Sequence, residues 1–335
     1  MSKSSVAVNT SYRQSAIDLG QKILFNAEYR ALAALVLIFA IFTSISRQFI
    51  GPYILPGILI MGSELAILSM GVTLVIMCGE IDLSLASVYG WGALWATLLA
   101  NAGVPFAISA LFAIAFGALI GYLNGTITLR FQIPALITTL ATMWVLRGLL
   151  MGLFGGTFFS YRGKPSALLA SFGGQIGIVP TIFLWFLGLA VVFYILLKRT
   201  RLGNHILATG GNIRTARALG VNVYRTKVIC FMISAAVAAF AGVAYLGRTS
   251  WFLSRLGMSS MGFGIEIEAI AISVMGGTAF AGGQGSIIAV CLAAFAFSSF
   301  KTGLILAGVS SYWVDGIASL LLIGFCMLQG IQKSK

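Results

Sequence analysis

Charge is what this sequence lacks. Asp, Glu, Lys and Arg make up 9% of its 335 residues, against roughly 25% in a soluble domain. That is too little to cover a water-facing surface of this size. Acidic residues are scarcest, at 8 against 21 Lys and Arg. There is one histidine, His205, and four cysteines, Cys78, Cys230, Cys291 and Cys326, lie far apart in or beside apolar runs. That pattern supplies neither a metal site nor a disulfide framework, and the cysteines read as small core hydrophobes.

Catalytic and nucleotide motifs are also missing. The Gly-Lys pair Gly163-Lys164 runs into Pro165, so no Walker A loop is present. No G-x-S-x-G elbow, H-E-x-x-H pair or dinucleotide fingerprint occurs. The chain is therefore expected not to be an enzyme, to bind no cofactor and to lack its own ATPase site. No zinc finger, RNA-binding motif or basic helix with interleaved aromatics accompanies the net charge of +13, so nucleic acid is not an expected partner. The polar N-terminus is too long for a signal peptide, and no small-residue cleavage site follows the first apolar run.

What is present is apolar. Hydrophobic residues make up 59% of the chain and the mean hydropathy is +1.01. A helix needs about 20 residues to cross the hydrocarbon core. Spans are expected near 29–47, 54–78, 83–101, 105–129, 134–154, 180–197, 228–247, 264–281, 285–307 and 312–330. The fold class is all-α: a polytopic helical membrane protein with about ten transmembrane helices. Two of these are candidates to be broken. One is the 50–62 region with Pro52, Pro56 and Gly57, and the other is 264–281, which opens on Glu266 and Glu268 and ends in glycines.

One transmembrane domain, 29–330, is expected between an N-terminal segment, 1–28, and a short tail, 331–335. Ser15 and Asp18 have capping-box spacing, and Ile17, Ile23 and Leu24 suit one face of a short surface helix. Fourteen of the 21 cationic residues fall on one side if the spans alternate from an inside N-terminus. By the positive-inside bias both termini and the loop 198–227 are expected in the cytoplasm. The long segments 155–179 and 248–263 then lie outside, where they are candidates to dock a partner. Glu64 and Glu268 each head a similar apolar run, a faint internal repeat of the kind that transport folds contain.

The loop 198–227 carries seven Lys or Arg residues and no acid. Within it, Ile213–Leu219 forms helix readily, Asn212 can cap its start and Gly220 can end it. Gly203, Gly210 and Gly211 punctuate the approach. A short capped helix held off the membrane suits docking into a partner's groove, and a solvated loop or a patch for anionic lipid fits the same charges. In the spans, Asn124, Thr138, Thr139, Thr142, Trp91 and Trp144 offer the neutral hydrogen-bonding groups and aromatic surfaces a sugar path needs. The same threonines and Asn124 also serve as interhelical glue. Asp82 and Ser84 suit a helix cap at the membrane edge, with a cation or proton site as the sharper alternative.

In order and spacing, several motifs together resemble the membrane permeases of ribose-type ATP-binding-cassette importers. They are Gly79-Glu-Ile-Asp-Leu-Ser84, Gly121-Tyr-Leu-Asn-Gly125, Ile133-Pro-Ala-Leu-Ile-Thr-Thr-Leu140 with Arg147-Gly148, Thr200-Arg-Leu-Gly203, Gly210-Gly-Asn212 to Ala216, Gly220-Val-Asn222, Ile267-Glu-Ala-Ile270, Gly276-Gly-Thr278, Ala281-Gly-Gly283 and Gly308-Val-Ser-Ser311. The resemblance spans nearly everything after the first span. It implies a permease of the bacterial inner membrane, paired with a second permease chain and seated on cytoplasmic ATPase subunits that bind ATP and Mg. It also implies a pentose or hexose delivered by an extracytoplasmic binding protein. The loop from Gly210 through Ala216 and Arg217 to Gly220 would contact the ATPase. Three positions depart from the pattern: Glu80 stands where Gly is usual, Glu268 where Asp is more common, and Ala86 where a Gly is usual. A secondary transporter coupled to ions or protons through Asp82, Glu64 and Glu268 is the alternative that the residues leave open.

Overall fold

In a computed structural model, the chain is described over residues 26–154, 160–249 and 264–333. The surface helix expected around Ser15 and Asp18 lies outside these residues, as do parts of both external segments. Helix α1 spans Ala27–Ile45 and is followed by a 3-10 turn, Arg47–Ile50. Next come α2 (Leu55–Met77), α3 (Leu85–Asn101), α4 (Phe106–Phe131) and α5 (Ala135–Phe154). A short α6 (Ala167–Gly173) precedes a pair of two-residue strands, β1 (Gln175–Ile176) and β2 (Val179–Pro180), which are antiparallel. Then follow α7 (Thr181–Arg199), α8 (Arg201–Gly211), α9 (Ile213–Ala218), α10 (Val223–Thr249), α11 (Ile265–Met275), α12 (Ile287–Leu306) and α13 (Ser311–Lys333). Seven of them, α1, α2, α4, α5, α7, α10 and α12, are long and apolar enough to cross a membrane. The protein is a polytopic helical membrane protein.

The expected spans map closely onto these helices, with three informative differences. The 50–62 region is not broken within its helix: α2 starts at Leu55 and places Pro56 in its first turn, where a missing N–H costs nothing. Helix α10 begins five residues early, because the Asn222 side chain accepts the Arg225 N–H at 2.9 Å and starts the helix there. Helix α11 has 11 residues, about 16 Å at 1.5 Å per residue. It cannot span about 30 Å of hydrocarbon, as its acidic start and glycine end suggested.

Helices α2 and α10 form the centre. Helix α10 lies against α4, α3 and α2 at backbone distance, because small residues meet there. A Cβ on Gly121 of α4 would collide with the Phe231 carbonyl, one on Gly92 of α3 with Ala239, and one on Gly242 with the Tyr89 carbonyl. Such packing replaces the hydrophobic driving force that lipid removes. Helix α11 runs alongside α2 in the same direction. Ser273 Oγ donates to the Ser69 carbonyl at 3.1 Å, Thr73 Oγ1 donates to Ser273 Oγ at 3.0 Å, and Gly283 N–H donates to the Met77 carbonyl at 2.8 Å. Ser69 and Ser273 stand at matching places in the two runs headed by Glu64 and Glu268, so the repeated segments pack on each other.

Ion pairs fix the helices laterally. Arg248 at the end of α10 grips both oxygens of Glu64 on α2, at 2.9 and 3.1 Å. Arg147 on α5 reaches Glu266 on α11 at 3.4 Å, with both side chains buried. Lys301 on α12 bridges Glu268 at 2.7 Å and Asp315 on α13 at 2.8 Å. Both acids in the first turn of the short α11 are thus neutralised by neighbouring helices. Arg147 and Lys301, which read as stray charges within spans, are what holds α11 in place.

Two outcomes follow. Gly121→Leu drives a side chain into the α10 backbone and should cost about 3 kcal/mol or more, read as a loss of monodisperse protein or a lower melting temperature in detergent. Arg147→Met leaves Glu266 buried and uncompensated and should destabilise by about 3–5 kcal/mol. Adding Glu266→Gln should restore most of that loss in the same melting experiment.

Candidate functional site

Helix α2 ends at Cys78 because Gly79 takes a left-handed turn, φ 79°. The connector 79–84 then runs extended between the helices. It carries Asp82, fully buried. Asp82 Oδ1 accepts from Ser84 N–H at 2.9 Å and from Ser84 Oγ at 2.7 Å, while Oδ2 accepts from Ser234 Oγ of α10 at 3.2 Å. No ion pair to a described cation forms at Asp82. Ser84 occupies the cap position of α3, yet its hydroxyl makes no cap hydrogen bond to that helix. It is spent on Asp82 instead, so the capping role expected of this pair is reduced to the carboxylate taking one N–H.

The polar chain continues outward. Asn124 Nδ2 on α4 donates to Ser84 Oγ at 2.9 Å, and Thr142 Oγ1 on α5 donates to Asn124 Oδ1 at 2.6 Å. Thr139 Oγ1 accepts Leu83 N–H at 3.1 Å and donates to the Ala135 carbonyl at 2.8 Å. The connector, α4, α5 and α10 are therefore tied by one neutral network around a single carboxylate. Each member matters, because an unmade hydrogen bond in a buried site costs about 1–3 kcal/mol.

Thr142 and Asn124 form part of the floor of a groove of about 450 Å³ between α4 and α5, whose walls include Ile120, Leu123, Ile137 and Val145. Thr138 also faces it, and Thr138 Oγ1 is buried with no hydrogen-bond partner among the described residues. No charged side chain lines the groove.

The structure does not bring the two expected tryptophans here. Trp91 is buried, donates from its indole nitrogen to the Leu146 carbonyl at 3.0 Å and packs on Trp95 and Phe116. That uses its polar handle in helix packing. Trp144 faces away from the bundle, 59% exposed, with the Arg147 guanidinium 5.8 Å from its ring centre. Of the three carboxylates considered for ion coupling, Glu64 and Glu268 are committed to Arg248 and Lys301.

The loop 198–227 folds into α8, α9 and the first turn of α10. Gly203 sits where a Cβ would strike the Leu196 and Leu197 carbonyls, so α8 can turn back tightly on α7, and Thr200 Oγ1 accepts the Gly203 N–H at 3.2 Å. Gly210 is wedged against the Met77 carbonyl and Gly283 N–H, with no room for a side chain. The end of α8 thus seats directly on the C-terminal end of α2 and on the 276–286 turn. Gly211 faces open space. Asn212 Oδ1 accepts the N–H groups of Arg214 and Thr215 at 3.0 and 3.1 Å, forming the cap that the sequence placed there. Gly220, φ 80°, ends α9. On this six-residue helix Ala216 is buried while Ile213, Arg214 and Arg217 are exposed, as is Leu219 just after it.

Lys227 does not belong with the loop charges. It is buried in α10 and paired with Glu80 of the connector. The apolar run begins only at Val228, which leaves Lys227 in the loop by sequence, whereas the helix itself starts at Val223.

The family model described as "Branched-chain amino acid transport system / permease component" matches residues 54–326. Among curated proteins the chain is 34% identical to the autoinducer 2 import system permease protein LsrC of Enterobacter sp. (strain 638), over 92% of this chain and 88% of that one. It is 31% identical to the Shigella flexneri protein of the same name, over 91% and 87%, and 32% identical to that of Yersinia enterocolitica, over 92% and 84%. No solved structure matches. With the helical bundle, the paired runs and the seated loop all in place, the chain belongs to the branched-chain amino acid transport system permease family, as the membrane permease of an ATP-binding-cassette importer.

Proposed function

We propose that this permease carries a small, neutral, sugar-like molecule inward across a bacterial cytoplasmic membrane. It works with a second permease chain and with cytoplasmic ATPase subunits that bind ATP and Mg, and an extracytoplasmic binding protein supplies the substrate. Both termini and the α8–α9 loop face the cytoplasm, in keeping with the surplus of Lys and Arg there.

The observation that carries this reading is the contact of Gly210 with Met77 and Gly283. A force applied to α9 by a partner reaches the most enclosed helix of the bundle without passing through a flexible side chain. Exposed Arg214 and Arg217 beside Ile213 and Leu219 give α9 a mixed charged and apolar face suited to a partner's groove. ATP binding shifts the permease only because the partner holds α9 differently in its two states.

The substrate class rests on the relatives' names, which specify autoinducer 2 import, and on the uncharged groove. Thr138, Thr142 and Asn124 lie behind aliphatic walls, and their hydroxyl and amide groups would meet an uncharged hydroxylated ligand once the groove opens.

The loop is tested with Arg217→Glu and Gly210→Val in the purified complex. Both should leave ATP hydrolysis measurable but remove its coupling to uptake, or abolish co-purification of the ATPase. Normal transport in both variants would refute the docking role. The groove is tested with Thr138→Val, which keeps shape and removes the hydroxyl. Uptake of labelled autoinducer 2 or ribose should weaken about tenfold, the worth of one hydrogen bond near 1.4 kcal/mol. The melting temperature should hold or rise, because that hydroxyl has no partner to lose.

A further inference from the structure

The sequence separates Cys78 and Cys230 by 152 residues, and the fold brings their sulfurs to 3.4 Å. Both are free thiols and both are buried. The meeting is held in register from either side. On α10 the Cys230 contact is flanked by two contacts to the connector, Lys227 with Glu80 three residues before it and Ser234 with Asp82 four residues after it. A disulfide has its sulfurs about 2.05 Å apart. Each sulfur therefore needs to move by about 0.7 Å, a shift within reach of small side-chain rotations.

The position gives such a bond a consequence. Cys78 is the residue after Met77, whose carbonyl receives Gly283 N–H and abuts Gly210. Cys230 lies two turns into α10, the helix that α9 feeds directly. Cys78 thus stands at the anchorage of α8 on α2, and Cys230 about two turns beyond the anchorage of α9 on α10. A bond between them would tie those anchorages together and stop α9 from moving α2 relative to α10. This consequence rests on the importer reading above.

We propose that Cys78 and Cys230 are an oxidant-responsive lock, closed by a peroxide. Peroxide is small and uncharged, and it reaches this buried pair when the seam between α2 and α10 opens locally. One cysteine sulfur attacks a peroxide oxygen. The O–O bond breaks, an S–OH bond forms, and the departing hydroxide leaves as water with the thiol proton. The second sulfur then attacks the sulfenic sulfur. The S–S bond forms, the S–O bond breaks, and the hydroxyl leaves as a second water with the second thiol proton. Two thiols and one hydrogen peroxide give one disulfide and two waters; the sulfurs are oxidised and the peroxide oxygens reduced. A thiol reductant reverses the lock by exchange.

The test uses the full chain with its co-purifying ATPase in native-lipid vesicles, in a background carrying Cys291→Ala and Cys326→Ala so that only the pair remains. Hydrogen peroxide should produce a linked Cys78–Cys230 peptide in non-reducing mass spectrometry and a loss of most transport-coupled ATP hydrolysis. Dithiothreitol should restore it. Cys230→Ala, and Cys230→Ser as a second variant should the first fold poorly, should form no link and keep activity through peroxide treatment. Thiols that stay free in an active complex overturn the lock, and so does a link that forms while activity is unchanged. Failure of any ATPase to co-purify overturns the importer reading, and the lock with it; the two failures are thus told apart.

Discussion

A carboxylate inside a low-dielectric bundle has to be answered, and this requirement governs where the helices stand. Glu64, Glu80, Glu266 and Glu268 are each answered by a cation from another helix, and the exposed Asp315 joins the Lys301 pair from its rim. Glu28 is answered by the Ser286 hydroxyl, and Asp82 by two serine hydroxyls and one amide. Removing either member of a buried pair leaves a charge that the interior cannot solvate. Lateral packing through glycine and alanine sets how closely the helices approach. The ion pairs set which helix faces which, and they join the Ser273 hydrogen bonds to α2 in fixing the level of the short α11 in the bundle.

Among the fully buried carboxylates Asp82 stands apart because hydroxyls and an amide, not a described cation, satisfy it. Hydroxyl groups can rotate and exchange partners, which a bidentate Arg–carboxylate fork resists. The network from Asp82 through Ser84 and Asn124 to Thr142 therefore joins a rigid core to a groove through its most adaptable bonds. The fixed ion pairs surround it, and the adjustable contacts sit where a path would need to change shape.

Much of the fold was legible in the sequence because membrane spans announce themselves by length and apolarity. The broken character of α11 was legible too, since Glu266 and Glu268 at its start and glycines at its end are unsuited to a full crossing. The Asn212 cap and the Gly220 stop were local and could be read from their neighbours. What was hidden was facing. Trp144 and Trp91 look alike in an apolar run, and nothing in a sequence that is oily on all sides says which one meets lipid. Pairing across the chain was hidden for the same reason. Lys227 read as a loop charge because its partner, Glu80, stands 147 residues earlier, and the cysteines read as separate core residues because sequence distance carries no spatial information. Polarity marked Asn124 and Thr142 as unusual, and only the fold shows them joined.

The ion pairs also set an order for biogenesis. Glu64 is made 184 residues before Arg248, and Glu80 is made 147 residues before Lys227. At roughly 5–20 residues per second, α2 and its connector wait on the order of ten seconds or more before their counter-charges emerge from the ribosome. During that interval the first half of the bundle holds acidic groups with no permanent partner. It can insert but not settle. Its final packing is deferred until α10 arrives, so the nascent permease must be sheltered at the insertion site through most of its own synthesis.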